Sequence, residues 1–368
     1  MLPAPVRGGV SNVETSNSLR GTTMTTFTWL HLSDLHLRGT ETAVERKAFH
    51  AMLSDIKARR AEHGLNPDVV FFTGDLAFSG QKEQYAQVGK WLDEVLDACS
   101  LPGQRNRLFI VPGNHDVNRN AIKKPDFVHE QYKAFAKALL DSDEYDEINK
   151  FLRDDEHKKW ALKKFDDFAR FIDEFFADEE IRFSSGKCFS VRLIDKGEHK
   201  IVVIGLNSAW LSFEDNEQGR LLVGEQQVCD ALEEAQEKYP AASLRIAMVH
   251  HPLYWLAEKD IHRIQLHLPD GCNLLLRGHL HCPSFSIQST PDTHLLEFAA
   301  GASLRANYHA YNLVQLNLDT GEGFAIVRLQ HPEIGGNWGP DSFTYRNAKE
   351  GKITFSLASP KGVTITEA

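Results

Sequence analysis

Five stretches of this 368-residue chain end an apolar run on residues that can bind a cation or move a proton. FTWLHLSDLHLRG runs into Asp34 and His36, VVFFTGD into Asp75, and RLFIVPGNHD into Asn114, His115 and Asp116. LRIAMVHHP runs into His250 and His251, and NLLLRGHLH into His279 and His281. Side chains at i and i+2 of an extended segment share a side, so Asp34 and His36 are expected to face one point. Taken singly, such a pair reads equally well as a turn cap; five in one chain point to one site. The donors are His, Asp and Asn without a thiolate, a set that suits Mn, Fe or Zn better than softer ions. Seven ligands are too many for one tetrahedral ion and match two five- or six-coordinate ions. Two ions roughly 3.5–4 Å apart can clamp the attacking and leaving oxygens of a phosphoryl displacement. A GxSxG nucleophile turn and a GxxxxGK(S/T) phosphate loop are both missing from the sequence.

The elements that must present these residues are short buried strands, expected at 27–33, 69–73, 107–111, 201–206, 244–249 and 273–277. In an α/β sheet, ligands bind outside the carboxyl ends of the strands, and that is where all five groups fall. Apolar spacing near 3.6 predicts helices over 42–62, 82–99 and 224–238. After residue 290, HLLEFAAG, YNLVQLNL and GFAIVRL read as strands joined by tight turns such as Asp319-Thr320-Gly321. Alternating βα units followed by hairpins predict an α/β sandwich with more than one sheet. Residues 119–181, dense in charge and aromatics, read as two or three inserted helices. They are either a solvated hairpin or a cap beside the strand ends. His31 is expected to be a packed strand residue and Cys282 a buried thiol. Arg277 is open between an ion pair and a phosphate contact.

Composition narrows the class. With 42% hydrophobic and 25% charged residues the chain is of ordinary globular type. A net charge of -10 disfavours nucleic acid as a bulk partner, though not a local cationic site. Five scattered cysteines without a CxxC suit a reducing compartment. No run approaches the roughly 18 apolar residues of a membrane span. Residues 1–26 lack the apolar core of a signal peptide and read as a flexible leader, with Met24 a candidate start. A cytoplasmic protein is therefore expected, with its body at 27–330 and a C-terminal extension at 331–368.

In order, D-x-H (Asp34, His36), G-D (Gly74, Asp75), G-N-H-D (Gly113 to Asp116), H-H-P (His250 to Pro252) and G-H-x-H (Gly278 to His281) resemble the calcineurin-like metallophosphoesterase superfamily. The resemblance spans about residues 27–330 and implies a four-layer α/β/β/α sandwich, here with a helical insertion. It implies one metal on Asp34, His36 and His281, another on Asn114, His250 and His279, and Asp75 bridging them. The motif leaves His250 and His251 open as ligands, and the family pattern favours His250. His115 would lie outside the ligand set and stabilise or protonate the leaving oxygen, with Asp116 orienting it. GDLAFSGQKEQY and IVVIGLNSAW are similar to the class III cyclic-nucleotide phosphodiesterase branch, whereas HLSDLHL is shared with repair nucleases. The function implied is hydrolysis of a small phosphodiester, a cyclic or short nucleotide, by in-line attack of a metal-bridging hydroxide, with Mn favoured. A metal-dependent DNA nuclease and a catalytically silent metal-binding scaffold are the alternatives. Related modules are fused to larger regulatory or NTPase chains, so association with such a module is a further expectation.

Overall fold

A computed structural model describes residues 24–357, apart from 124–125, 178–180, 182, 184–186, 215, 290–292, 305–308, 332–336, 342–343 and 345–347. The leader expected at 1–26 therefore lies almost wholly outside the described residues. The first half of the body is built from β1 (Thr26–Leu32), α1 (Ala43–His63), β2 (Val69–Phe72), α2 (Lys82–Ala98) and β3 (Leu108–Ile110). The insertion follows as α3 (Asn120–Lys123), α4 (Asp126–Asp141), α5 (Asp146–Arg153), α6 (Asp155–Leu162) and α7 (Asp166–Phe176). The second half comprises β4 (Phe189–Lys196), β5 (His199–Leu206), α8 (Glu225–Lys238), β6 (Leu244–Met248), α9 (Glu258–Gly271) and β7 (Leu274–Arg277). Six more strands close the fold: β8 (Ser284–Ser289), β9 (His294–Ala299), β10 (Ala310–Asn317), β11 (Glu322–His331), β12 (Asn337–Pro340) and β13 (Lys352–Ser356).

The strands form two sheets. One runs β12-β11-β10-β1-β2-β3, with β13 also on β11; the other runs β4-β5-β6-β7-β9-β8. Strand period dictates the layering. Phe27 and Trp29 of β1 and Val69 and Phe71 of β2 meet Ile201, Val203, Ile246 and Met248 between the sheets. The intervening Leu30, Leu32, Val70 and Phe72 face outward onto Phe49, Met52 and Trp91 of α1 and α2. On the other side Val202, Ile204 and Ala247 face Val228, Ala231 and Ile264 of α8 and α9. Helix, sheet, sheet and helix give the four-layer α/β/β/α sandwich.

The predicted strands and the helices α1, α2 and α8 are all present. Four strands, β4, β8, β12 and β13, escape the pattern reading, and each pairs with a single neighbour. Edge strands expose polar residues, as β4 exposes Ser190 and Asp195, and so lose the continuous apolar signal. Strands β12 and β13 lie in the segment expected as a C-terminal extension and are paired onto β11. The insertion contributes five described helices rather than two or three. Its Tyr132, Phe151, Phe165 and Phe168 are buried in the same apolar cluster as α1 and α2.

Candidate metal centre

The strand ends meet because the loops that follow β1 and β2 run side by side. Asp34 N donates to Gly74 O at 3.0 Å, and His36 N to Asp75 O at 3.0 Å. The backbone there is not extended. Asp34 (φ 56°), His36 (φ 50°), Asp75 (φ 57°), His279 (φ 73°) and His281 (φ 57°) all sit in the left-handed region. That conformation costs a non-glycine residue roughly 1–3 kcal/mol and persists only where the surroundings impose it. Asp34 and His36 thus converge through successive left-handed turns, not through the strand pleat as expected. Glycines make room: a Cβ on Gly113 would strike the Asp75 carboxylate, and one on Gly278 the Ser33 hydroxyl.

Four overlapping groups result. Asp34, His36 and His281 form one, Asp34, Asp75 and His250 a second, His250, His251 and His279 a third, and His36, Asp75 and His115 a fourth. His36 Nε2 and His281 Nε2 lie 3.1 Å apart, with Asp34 Oδ1 at 3.6 and 3.3 Å from them. Across the cleft His250 Nε2 and His279 Nδ1 are 3.2 Å apart. Asp75 Oδ2 stands between the pairs, 3.9 Å from His36 Nε2 and 3.2 Å from His250 Nε2.

Burial pushes His36 down to about 4 and His279 down to about 3, so both imidazoles are neutral and offer lone pairs. Burial alone would raise the Asp75 carboxyl, but His250 and His36 hold it well below its usual range. Burial also opposes charge on His250, yet the adjacent Asp75 carries it up to about 9. Asp34 Oδ1 is buried without a donor. An orphaned carboxylate oxygen facing two imidazole nitrogens is a donor set made for a divalent ion, so the residues fit the metal pair that the motifs imply.

Hydrogen-bond accounting separates His250 from His251. The Thr73 carbonyl accepts from His250 Nδ1 at 2.6 Å, which leaves Nε2 as the ring nitrogen aimed at the cleft. Ser208 Oγ accepts from the backbone N–H of His250 (3.2 Å) and of His251 (3.1 Å). Its own proton then goes to His251 Nδ1 at 3.0 Å, and His251 Nε2–H donates to Asn114 Oδ1 at 3.2 Å. In this arrangement His250 keeps a ring nitrogen toward the cleft, whereas both ring nitrogens of His251 are engaged, by Ser208 and by Asn114.

His115 Nδ1–H donates to the Phe78 carbonyl at 2.6 Å, and its ring stands 4.5 Å from that of His36. Asp116 does not orient it, which corrects the expectation. Both Asp116 oxygens are taken by the backbone N–H of Leu76, Ala77 and Gly113 and by Tyr85 Oη at 3.2 Å. Asp116 instead ties the β2 and β3 loops together. Arg277 proves to be structural, bonded to Glu297 and to Ser284 Oγ. Cys282 is exposed rather than buried. His31, fully buried on Thr73 Oγ1, is the packed residue expected. Ser208 and the Phe78 carbonyl went unnoticed in sequence, because a serine and a main-chain oxygen carry no motif.

A family model described as calcineurin-like phosphoesterase matches residues 27–283. The uncharacterized metallophosphoesterase-like protein YydB of Bacillus subtilis (strain 168) is 26% identical over 336 residues, 89% of this chain and 64% of that protein. This chain thus spans less than two thirds of that relative's length. Among solved structures, a 5'-nucleotidase precursor from Thermus thermophilus is 13% identical with a TM-score of 0.43, covering 79% of this chain and 51% of its own. The purple acid phosphatase PPD1 from yellow lupin (Lupinus luteus) is 10% identical with a TM-score of 0.42, covering 83% and 52%. With the family match running from the first ligand-bearing strand to the last, the chain belongs to the calcineurin-like phosphoesterases.

Proposed function

We propose that the chain is a metal-dependent phosphodiesterase acting on a small diester, a cyclic or short linear nucleotide. The observation that carries this reading is Asp75 Oδ2, set between two imidazole pairs. Asp34, His36, His281 and Asp75 would hold one divalent ion, and Asp75, Asn114, His250 and His279 the other, with Mn favoured by the nitrogen-rich set. Such ions would supply neutralisation of the phosphoryl oxygens and activation of water.

The chain's own residues do the rest. His115, with Nδ1–H engaged by Phe78, keeps Nε2 to exchange a proton with the departing oxygen. Asp75 Oδ1 accepts from His115 N at 2.7 Å, which locks that ring's loop to the ligand loop. The insertion carries acidic runs such as DSDEYDE. A long polyanion needs several Lys or Arg contacts with its phosphates, so a small ester suits this cleft better.

The test is a panel of cyclic nucleotides, dinucleotides, single-stranded DNA and duplex DNA, assayed with defined metals at fixed salt. Small diesters should be hydrolysed, chelation should abolish turnover, and Mn should restore it better than Mg. Efficient cutting of duplex DNA would install the nuclease instead. Binding of metal with no turnover of any ester would install the silent scaffold.

A further inference from the structure

The rim of the cleft on the His115 side holds a cation with no carboxylate partner among the described residues. Arg38, two residues beyond His36, is exposed, and its guanidinium lies 4.1 Å from the centroid of the Phe78 ring. The two segments are neighbours: Phe78 N donates to Leu37 O at 2.9 Å, and Leu37 bridges Ala77. Phe78 itself reaches into the site. Its carbonyl holds His115, its ring centroid is 5.6 Å from that of His115, and the residue is 37% exposed. His36, His115, Phe78 and Arg38 thus form a row of touching groups that leads outward from the candidate ligands.

Several other arginines of the molecule hold carboxylates. Arg46 takes both oxygens of Glu94, Arg105 both of Asp93, and Arg328 both of Asp55. Among the described residues no carboxylate lies within ion-pair distance of Arg38, which packs on the Phe78 ring. Stacking occupies a face of the guanidinium and leaves its N–H donors free in the plane. A propped fork of free donors suits the bidentate capture of a phosphate. In a protein of net charge -10, leaving such a cation unpaired beside the proton-carrying histidine is a specific placement.

We propose that Arg38, held by Phe78, is a specificity-determining residue that binds a second phosphate on the leaving arm of the substrate. The preferred ester is then a short linear nucleotide with a further phosphate, rather than a cyclic mononucleotide. The proposal rests on the phosphodiesterase reading above, because His115 marks the leaving side.

The test compares the thymidine dinucleotide TpT with the same dinucleotide phosphorylated at its 5′ end (pTpT) or its 3′ end (TpTp), on the Mn-loaded protein at fixed salt. One phosphorylated form should exceed TpT in kcat/KM by about tenfold, the worth of about 1.4 kcal/mol. Arg38→Ala should shrink that ratio to within about twofold, Arg38→Lys should keep part of it, and Phe78→Leu should lower it. Equal rates on the three substrates in the native protein, or an unchanged ratio in Arg38→Ala, would overturn the assignment. Calorimetric titration with thymidine 3′,5′-bisphosphate gives a second readout, independent of turnover. Its affinity should drop about tenfold in Arg38→Ala. If none of the dinucleotides is hydrolysed, the phosphodiesterase reading fails, and equal affinity of the two proteins would sink the role of Arg38 separately.

Discussion

At the floor of the cleft, residues with strained backbone are held by main-chain hydrogen bonds and by glycines that leave them space. The helical insertion beside it is held instead by side chains. Phe151 stacks on Trp210 at 5.3 Å and Phe171 on Tyr85 at 5.0 Å. Tyr132 Oη donates to Trp210 O at 3.0 Å, and the buried Lys164 Nζ donates to Ser212 O at 2.6 Å. Tyr145 Oη reaches Asp260 of α9. The floor therefore trades conformational stability for chemistry, whereas the insertion is a stabilising wall that spans both helix layers. Substitutions in the two regions should separate cleanly into losses of turnover and losses of stability.

The largest effect is expected at Asp75. Asp75→Asn should forfeit both ions and the several kcal/mol of charge stabilisation they supply, as read by metal content and turnover on one sample. Full occupancy with low turnover would show that Asp75 is not shared between the two sites. His115→Ala should retain both ions and lose roughly 10²–10⁴-fold in turnover. An emptied site in that variant would make His115 a ligand, since it also stands within reach of Asp75 and His36.

On the other side of the comparison, Phe168→Ala should cost about 3–5 kcal/mol in denaturant unfolding, because the ring is fully buried in the shared core. Turnover per folded molecule should change little. A large fall in turnover at unchanged stability would make the insertion part of the chemistry.

A pH-dependent contribution arises at the insertion's tether. Burial lifts the Asp260 carboxyl up to about 6, although Tyr145 and the N–H groups of Val223 and Gly224 favour its ionised form. Between about pH 4 and 6 the native state keeps a proton that the unfolded chain has released, so this group's stabilisation falls as pH rises, by on the order of 3 kcal/mol. The stability gap between the native protein and Asp260→Asn should therefore change across that window. A gap independent of pH would mean that the hydrogen bonds cancel the effect of burial. The smallest effect is expected for Tyr85→Phe, which removes the Tyr85–Asp116 bond and should cost about 0.5–1.5 kcal/mol. Because Tyr85 touches both Phe171 and Asp116, it is where a change in the insertion would reach the floor.

The strand ends were legible because a fully buried strand is a continuous apolar run, and the residue that ends it stands out. That is true of the runs before Asp34, Asp75, Asn114, His250 and His279. The edge strands β4, β8, β12 and β13 were not, since half of each faces solvent and its pattern resembles a loop. Helix α9 was also missed; its sequence, EKDIHRIQLHLPDG, carries polar residues on much of its surface and a proline near its end. The insertion was legible as helical, but its burial was not, because its aromatic residues find partners such as Trp210 and Tyr85 far along the chain.

By itself the sequence determined the donor types, their order and the layered α/β class, all of which are local: each depends on the few residues that terminate an apolar run. Only the tertiary structure decided which donors converge and what each hydrogen bond does. Ser208 lies 43 residues from His251, and Tyr85 lies 31 from Asp116. Glu297, which claims Arg277, lies 20 residues beyond it. A side chain's role is set by the atoms that saturate its donors and acceptors, and those atoms are brought to it by the fold.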